Sequence, residues 1–148
     1  MINIKKLQPD DFLIAQKLFT QWQIEDGIKN IADTSEEYIR KLLSKDDFHV
    51  IAALENDIVI GGLTAYELPM YTEEVTEMYI YELGVDDNHR RQGIATKLLE
   101  VLKNICKSRN IKIIFVGADK INDEGVGFYI ATGGKGEDVI EFTYTLTY

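Results

Sequence analysis

The chain has 148 residues, of which 45% are hydrophobic and 28% are charged. This composition is typical of a globular protein with one hydrophobic core, and it excludes a disordered tail protein. The net charge is -9 and the sequence pI is about 4.7. Nucleic-acid binding is therefore disfavoured, because it needs a basic surface, and cationic partners are expected instead.

Features that would direct the chain to a membrane or to secretion are missing from the sequence. No apolar run approaches the roughly 20 residues of a membrane span, and the opening MINIKKLQPDDF lacks the apolar centre of a signal peptide. The single cysteine, Cys106, excludes an internal disulfide, which is typical of a reducing compartment. We therefore expect a cytoplasmic protein. No metal site is predicted, because His49 and His89 have no ligand pattern around them.

Hydrophobic periodicity and turn residues predict the elements of the first half. In chain order these are a strand at 2–7, a helix after Pro9, a second helix after a capping box of Thr34 and Glu37, and strands at 48–54 and 58–66 joined as a hairpin. The glycines in the second hairpin strand indicate a bulge.

The second half alternates strands and helices. The predicted elements are a strand at 77–85, a helix at about 91–109, a buried strand at 111–118, a short helix ended by Gly133 and Gly134, and a final alternating strand at 139–148. A strand–helix–strand unit at 77–118 inside this order predicts a mixed sheet flanked by helices. We expect an α/β protein (an α+β mixed sheet) with a single domain over residues 1–148.

The stretch HRRQGIA, at 89–95, lies between a predicted strand and a predicted helix. The first turn of a helix leaves backbone N–H groups unpaired and carries the positive end of the helix dipole. Gly93 and the small Ala95 would let a phosphate approach that backbone, with charge from Arg90 and Arg91 and a hydroxyl from Thr96. The pattern predicts a pyrophosphate site, although its spacing matches neither GxGxxG nor the P-loop.

Arg90-Arg91-Gln92-Gly93-Ile94-Ala95 matches the (Gln/Arg)-x-x-Gly-x-(Gly/Ala) motif of the GNAT superfamily of N-acetyltransferases, which the predicted element order also resembles. Residues 66–99 look closest to the aminoglycoside 3-N-acetyltransferases of the gentamicin-modifying type. Those proteins share an ELP loop, an IY(D/E)L strand end and an HRRQGIAT turn. The resemblance implies a GNAT-like fold, acetyl-coenzyme A as the donor, an amine as the acceptor, and a homodimer.

The resemblance also implies the residues that contact the coenzyme. The strand end at 83–85 would separate from the next strand at Gly117 and Ala118 and pair with the pantetheine arm, and Gly84 suggests a bulge there. The implied coenzyme-binding residues are Leu83, Gly84, Val85, Arg90, Arg91, Gln92, Gly93, Ile94, Ala95, Thr96 and Asn122.

Two residues are candidates for proton transfer. Tyr129 lies in FYIATGG, which resembles the superfamily's FYxxxGF stretch, so it is implied as the acid that protonates the leaving thiolate. Gly134 stands where that stretch has an aromatic. The alternative for Tyr129 is a half-buried core tyrosine. Glu82, just before the strand end, is the candidate base, and its alternative is a solvated glutamate.

Seven acids and no lysine or arginine lie between Glu67 and Asp87. Such a run is a solvated face in one interpretation. In the other, Glu67, Glu73 and Glu74 bind a small polycation, either an aminoglycoside or a polyamine, with the loop EDGIKNIAD as one wall of the cleft. Two alternative functions are a protein or peptide N-acetyltransferase and a coenzyme A-binding sensor without turnover.

Overall fold

A computed structural model describes residues 1–32 and 34–148. Two compact units make up the chain, Met1–Gly117 and Ala118–Tyr148. The first unit contains β1 (Ile2–Lys6), a 3-10 turn (Pro9–Asp11), α1 (Phe12–Glu25), α2 (Glu36–Leu43), β2 (Phe48–Glu55), β3 (Ile58–Pro69), β4 (Thr76–Val85), a second 3-10 turn (Asp87–His89), α3 (Ile94–Ser108) and β5 (Ile114–Val116). The second contains α4 (Asp123–Ala131). No helix within the described ranges has the length and apolar character needed to cross a bilayer.

The five strands form one mixed sheet in the order β1-β2-β3-β4-β5. The first three pairings are antiparallel, and β4 and β5 are parallel, as the strand–helix–strand unit predicts. The β2–β3 hairpin turns at Asn56 and Asp57, which have φ of 51° and 66°. Positive φ at both central residues is the geometry of a tight hairpin. The strand order and the mixture of antiparallel and parallel pairings confirm the predicted mixed sheet.

Helices pack on both faces of the sheet. Alternate β2 residues point to opposite faces, and Phe48, Val50 and Leu54 join the buried cluster with Leu18 and Trp22 of α1. Helix α3 contacts β2, β3 and β4, and its buried stripe is formed by Ile94, Leu98, Leu99, Leu102 and Cys106. Three strands are thus held between two helical layers, and these fix the position of the β4 end.

Two helix starts differ from the sequence predictions. Helix α2 is capped by Ser35, whose side chain accepts a hydrogen bond from the Tyr38 N–H, so the predicted capping box of Thr34 and Glu37 is wrong. Helix α3 begins at Ile94 rather than near 91, because Gly93 at φ 76° is its N-cap. A left-handed residue cannot continue a right-handed helix, so the turn before it stays outside α3.

The last two predicted strands also differ. Strand β5 has three residues, and Phe115 is 40% exposed. The strand is thus shorter than the predicted 111–118, and within the first unit it is the last strand of the sheet, beside β4. Residues 139–148 form neither strand nor helix. A strand needs a neighbour for its hydrogen bonds, and all five strands described here belong to the first unit, so the strand at 139–148 stays a prediction.

Candidate active site

The end of β4 is open on one side. Pairing with β5 stops at Ile80 and Val116, whereas β4 continues to Val85 with only β3 beside it. In the part of the chain that the structure describes, residues 81–85 have no strand on the β5 side. Within the first unit, their backbone groups on this side have no strand partner and could pair with a ligand that lies along the strand.

The bulge in β4 lies earlier than the sequence indicates. Thr64 pairs with Glu82 and Ala65 pairs with Ile80, so Tyr81 is the extra residue. Gly84, where the bulge was predicted, pairs regularly with Gly62. Its lack of a side chain has another cause, because a Cβ at Gly84 would lie 2.7 Å from Nε1 of Trp22. The predicted bulge position is therefore wrong, and Gly84 instead admits the indole of α1.

The turn between β4 and α3 presents backbone N–H groups. Arg91 and Gly93 both have left-handed backbones, at φ 61° and 76°. Gly93 makes no side-chain cap, and the first intrahelical bond runs from Lys97 N–H to the Gly93 carbonyl. The amides of residues 94–96 therefore have no intrahelical acceptor. A Cβ at Gly93 would meet no atom within 4 Å, so the space above these amides is open. A pyrophosphate fits this concave, positive end of the helix.

The side chains around this turn are paired with one another. Arg90 forms an ion pair with Asp87, Nη2 to Oδ1 at 2.9 Å, and its Nε donates to the Val85 carbonyl at 3.4 Å. His89 contacts Asp86 at 3.0 Å through Nδ1 and Glu55 at 2.9 Å through Nε2. The hydrogen bonds to Asp86 and Glu55 raise the pKa of His89. Arg91 and Gln92 are exposed.

A second set of charges lies at the other side of the β4 end. We define the acidic cluster as Glu25, Asp26 and Glu82. Glu82 is half-buried, and burial raises its pKa, with further increases from the charges of Asp26 and Glu25 at the end of α1. Within residues 1–32 and 34–148, neither Glu82 nor Asp26 forms an ion pair with a cation. The sequence predicted the 25–33 loop as a cleft wall. It did not indicate that Glu25 and Asp26 are neighbours of Glu82.

The three acids predicted to bind substrate are in different environments. Glu67 lies within β3 rather than in a loop, and its side chain is 8% exposed. Its Oε2 accepts from Arg109 Nε at 2.7 Å and lies 2.6 Å from His49 Nε2. Burial lowers the pKa of His49 despite Glu67. The carboxylate can only accept, so His49 Nε2 is the donor of this hydrogen bond. Glu73 and Glu74 are exposed between β3 and β4. Glu67 is thus a structural partner of α3, and the structure does not bring these acids into one site.

In the second unit, Tyr129 lies on α4 and is half-buried, and burial raises the pKa of its phenol. A phenol with a raised pKa stays protonated and can donate. Gly134 donates its N–H to the Tyr129 carbonyl at 2.8 Å, and a Cβ at Gly134 would lie 2.9 Å from that oxygen. This contact explains the glycine at a position where an aromatic was expected. Asn122 caps α4 by accepting from the Gly125 N–H at 3.1 Å.

Known proteins resemble the chain in both sequence and fold. The sequence profile of the acetyltransferase (GNAT) family matches residues 14–133. The aminoglycoside acetyltransferase meta-AAC0020 from an uncultured soil metagenomic sample, crystallised with trehalose, has 34% sequence identity and a TM-score of 0.94, over 99% of this chain and 97% of that one. The aminoglycoside acetyltransferase HMB0005, also from an uncultured soil metagenomic sample, has 32% identity and a TM-score of 0.93, over 99% of each chain.

A curated relative has a different acceptor in its name. The L-2,4-diaminobutyric acid acetyltransferase of Halalkalibacterium halodurans is 28% identical over 99 residues, which cover 59% of this chain and 50% of that protein. The match therefore spans half the length of this relative. The family profile covers most of the chain, and the two metagenomic enzymes align along nearly all of it. The chain belongs to the GNAT family of acetyltransferases.

Proposed function

We propose that the protein transfers the acetyl group of acetyl-coenzyme A to a primary amine of a small polycation, an aminoglycoside or a polyamine, by direct attack in a ternary complex. The observation that carries this proposal is the acidic cluster beside the open end of β4. Its carboxylates are not neutralised by cations of the described chain, and so they attract a cationic acceptor.

The coenzyme would be held mainly by backbone groups. The N–H groups of residues 91–96 would bind the pyrophosphate, with Arg90 and Gln92 at the rim of the site, and the open backbone of residues 83–85 would pair with the pantetheine arm. Acetyl-coenzyme A supplies the acetyl group as a thioester. Asn122 would also contact the coenzyme. Its side-chain oxygen, Oδ1, caps α4, and its side-chain nitrogen, Nδ2, would donate to the coenzyme.

Two proton movements accompany the transfer. Glu82 takes a proton from the ammonium of the acceptor, and the free amine then forms a bond to the thioester carbonyl carbon. The carbon–sulfur bond breaks, and Tyr129 gives its proton to the departing thiolate. A base works best when its pKa lies near the working pH, so the raised pKa of Glu82 suits this role.

The acceptor class is supported by relatives as well as by charge. The meta-AAC0020 protein has also been crystallised with sisomicin, and L-2,4-diaminobutyric acid, named in the curated relative, carries two amines. Both compounds are small and have more than one amine. Glu73 and Glu74 would act at longer range, by attraction over the roughly 8–10 Å that salt permits. Glu67 is not retained as a substrate contact, because its carboxylate is already engaged.

The test is the pH dependence of turnover, with mass spectrometry to identify acetylated products from a panel of aminoglycosides, polyamines and peptides. Turnover of the wild type should rise with pH as Glu82 loses its proton. Glu82→Gln should lower turnover by about 100-fold or more and remove this rise. Asp26→Asn should move the midpoint of the rise to lower pH, because it removes a charge that raises the pKa of Glu82.

Glu73→Gln is the matched control, since it neutralises an exposed acid outside the acidic cluster, and it should keep the wild-type midpoint. A Glu82→Gln variant with wild-type turnover at every pH would return Glu82 to a solvated strand-end residue. Tight coenzyme binding without transfer to any amine would support the sensor alternative, and faster acetylation of peptides than of small polycations would support the peptide alternative.

A further inference from the structure

The side chain of His89 contacts a carboxylate through each of its two ring nitrogens. Nδ1 lies 3.0 Å from Oδ2 of Asp86, and Nε2 lies 2.9 Å from Oε2 of Glu55. An ionised carboxylate only accepts hydrogen bonds, so both ring nitrogens must carry a hydrogen. The neutral ring has one N–H, whereas the imidazolium has two. The geometry therefore requires the protonated form of His89.

The two carboxylates come from different parts of the first unit. Asp86 is the residue before the second 3-10 turn, and its carbonyl also accepts from the His89 N–H at 2.9 Å. Glu55 is the last residue of β2 and lies 34 positions before His89. Protonated His89 therefore joins the turn between β4 and α3 to the end of the β2–β3 hairpin.

Both contacts depend on the proton of the ring. The hydrogen bonds to Asp86 and Glu55, together with the charges of these two acids, raise the pKa of His89. The next charged side chains of the turn, Asp87 and Arg90, form an ion pair with each other at 2.9 Å. When the ring loses its proton, one nitrogen presents a lone pair to a carboxylate. One of the two contacts must then break, and the turn is no longer held at both ends.

We propose that His89 is a positioning residue of the coenzyme site: its protonated ring fixes the turn between β4 and α3 against the hairpin, and coenzyme affinity falls when this proton is lost. The inference rests on the proposed coenzyme site, because this turn leads directly into Gly93 and the amides of residues 94–96. A site that is already held in its bound shape binds more tightly, since less ordering accompanies binding. His89 acts through the turn and not by touching the coenzyme.

Calorimetric titration of the full chain with coenzyme A, from about pH 6 to about pH 9, measures this dependence. Below the raised pKa the wild type should bind more tightly than His89→Gln by about fivefold or more, and above it the two affinities should converge. Comparison with this variant cancels the titration of the coenzyme's own phosphate. Because linkage is reciprocal, coenzyme A should also raise the pKa of His89, which proton NMR can follow since the chain has two histidines.

Glu55→Ala separates positioning from charge. If charge alone mattered, removing an acid would strengthen the binding of an anion. Loss of the contact to His89 should instead weaken coenzyme A binding. Asp57→Asn is the matched control, because it neutralises an exposed acid of the same hairpin that is not one of the two partners of His89. Asparagine also suits the left-handed backbone at this position, φ 66°. The control should bind at least as tightly as the wild type and keep its pH dependence.

Circular dichroism should show the same fold for all three variants. A pH dependence that His89→Gln shares with the wild type would overturn the inference. A wild-type advantage of the same size at every pH would do so as well, because it would depend on the shape of the ring and not on its proton. Stronger binding by Glu55→Ala would mean that charge alone acts here and would also contradict the inference. Failure of the wild type to bind coenzyme A at any pH would overturn the proposed coenzyme site together with it.

Discussion

The coenzyme turn, residues 86–96, and the acidic cluster lie at the same end of β4 but handle charge in opposite ways. In the turn, Arg90 is paired with Asp87, and His89 lies between Asp86 and Glu55. The groups left for a ligand there are backbone N–H groups. In the acidic cluster, burial raises the pKa of Glu82, and the charges of Asp26 and Glu25 raise it further. The proposed anion site thus uses backbone shaped by paired charges, whereas the proposed cation site uses carboxylates for which the described residues provide no cation partner.

The largest effect is expected from Gly93→Val, which breaks the backbone site. The branched side chain would occupy the approach to the amides of residues 94–96 and would strain a residue at φ 76°. Hydrogen bonds to a charged group contribute about 1.5–3 kcal/mol each, and 1.4 kcal/mol is about tenfold in affinity. We expect coenzyme A binding to weaken by about 100-fold or more, as measured by calorimetry.

Gly27→Val is the control for backbone strain. Gly27 has nearly the same backbone, φ 74°, and equally open surroundings, but it lies after α1. Its substitution should lower stability by a similar amount and leave the coenzyme affinity unchanged. Equal affinity losses in the two variants would show that strain, rather than blocked access to the amides, is responsible.

Tyr129→Phe should have the next largest effect. It tests the proposed proton donor, whereas the variants of the acidic cluster test the proposed proton acceptor. In the proposed mechanism, Glu82 of the acidic cluster takes a proton from the acceptor, whereas the Tyr129 phenol supplies one to the coenzyme thiolate. General acid catalysis contributes about 100-fold or more, so turnover should fall by that factor while the Michaelis constant for the donor changes little. Tyr79→Phe removes the hydroxyl of another half-buried tyrosine and should keep normal turnover. Normal turnover in Tyr129→Phe would return Tyr129 to a core tyrosine.

Glu67→Ala distinguishes an internal acid from the acidic cluster. Removing this carboxylate leaves His49 and Arg109 without their partner. We expect the free energy of unfolding, measured with denaturant, to fall by about 1–3 kcal/mol. Glu74→Ala, at an exposed position, should change it by less than about 0.5 kcal/mol. An increase in the acceptor's Michaelis constant with unchanged stability would instead make Glu67 a substrate contact.

His89→Gln should have the smallest effect, and its sign depends on pH. The pKa of His89 is raised above its ordinary value of 6.5, so protonated His89 stabilises the folded turn. This contribution is complete below pH 6.5 and is lost as the pH rises through the raised pKa. The melting temperature of the variant should therefore be lower than that of the wild type in acid, and the two should converge in alkali. A constant difference at all pH values would mean that shape, and not charge, is lost.

The sequence predicts what depends on neighbours along the chain. The strand-to-helix turn, the hairpin and the end of α4 follow from local residues such as Gly93, Asn56 and Gly133, and the structure has all three. The bulge was misplaced because its position depends on the pairing of β3 with β4, and Gly84 is small because of Trp22 in a distant helix.

The sequence also did not reveal the acids beside Glu82, because they too come from a distant part of the chain. Glu25 and Asp26 are more than fifty positions before Glu82, and no sequence pattern connects them to it. The run of acids from 67 to 87 was treated as one surface, although its first member lies inside the protein.

The packing of Trp22 against Gly84 gives the protein an internal spectroscopic probe. Trp22 is the single tryptophan of the chain, and its indole lies against the strand end that the coenzyme arm would occupy. Its fluorescence can be followed apart from that of the eight tyrosines. Any ligand that pairs with residues 83–85 changes the surroundings of this one fluorophore. We therefore expect the emission of the unlabelled wild type to change when a ligand occupies the β4 end.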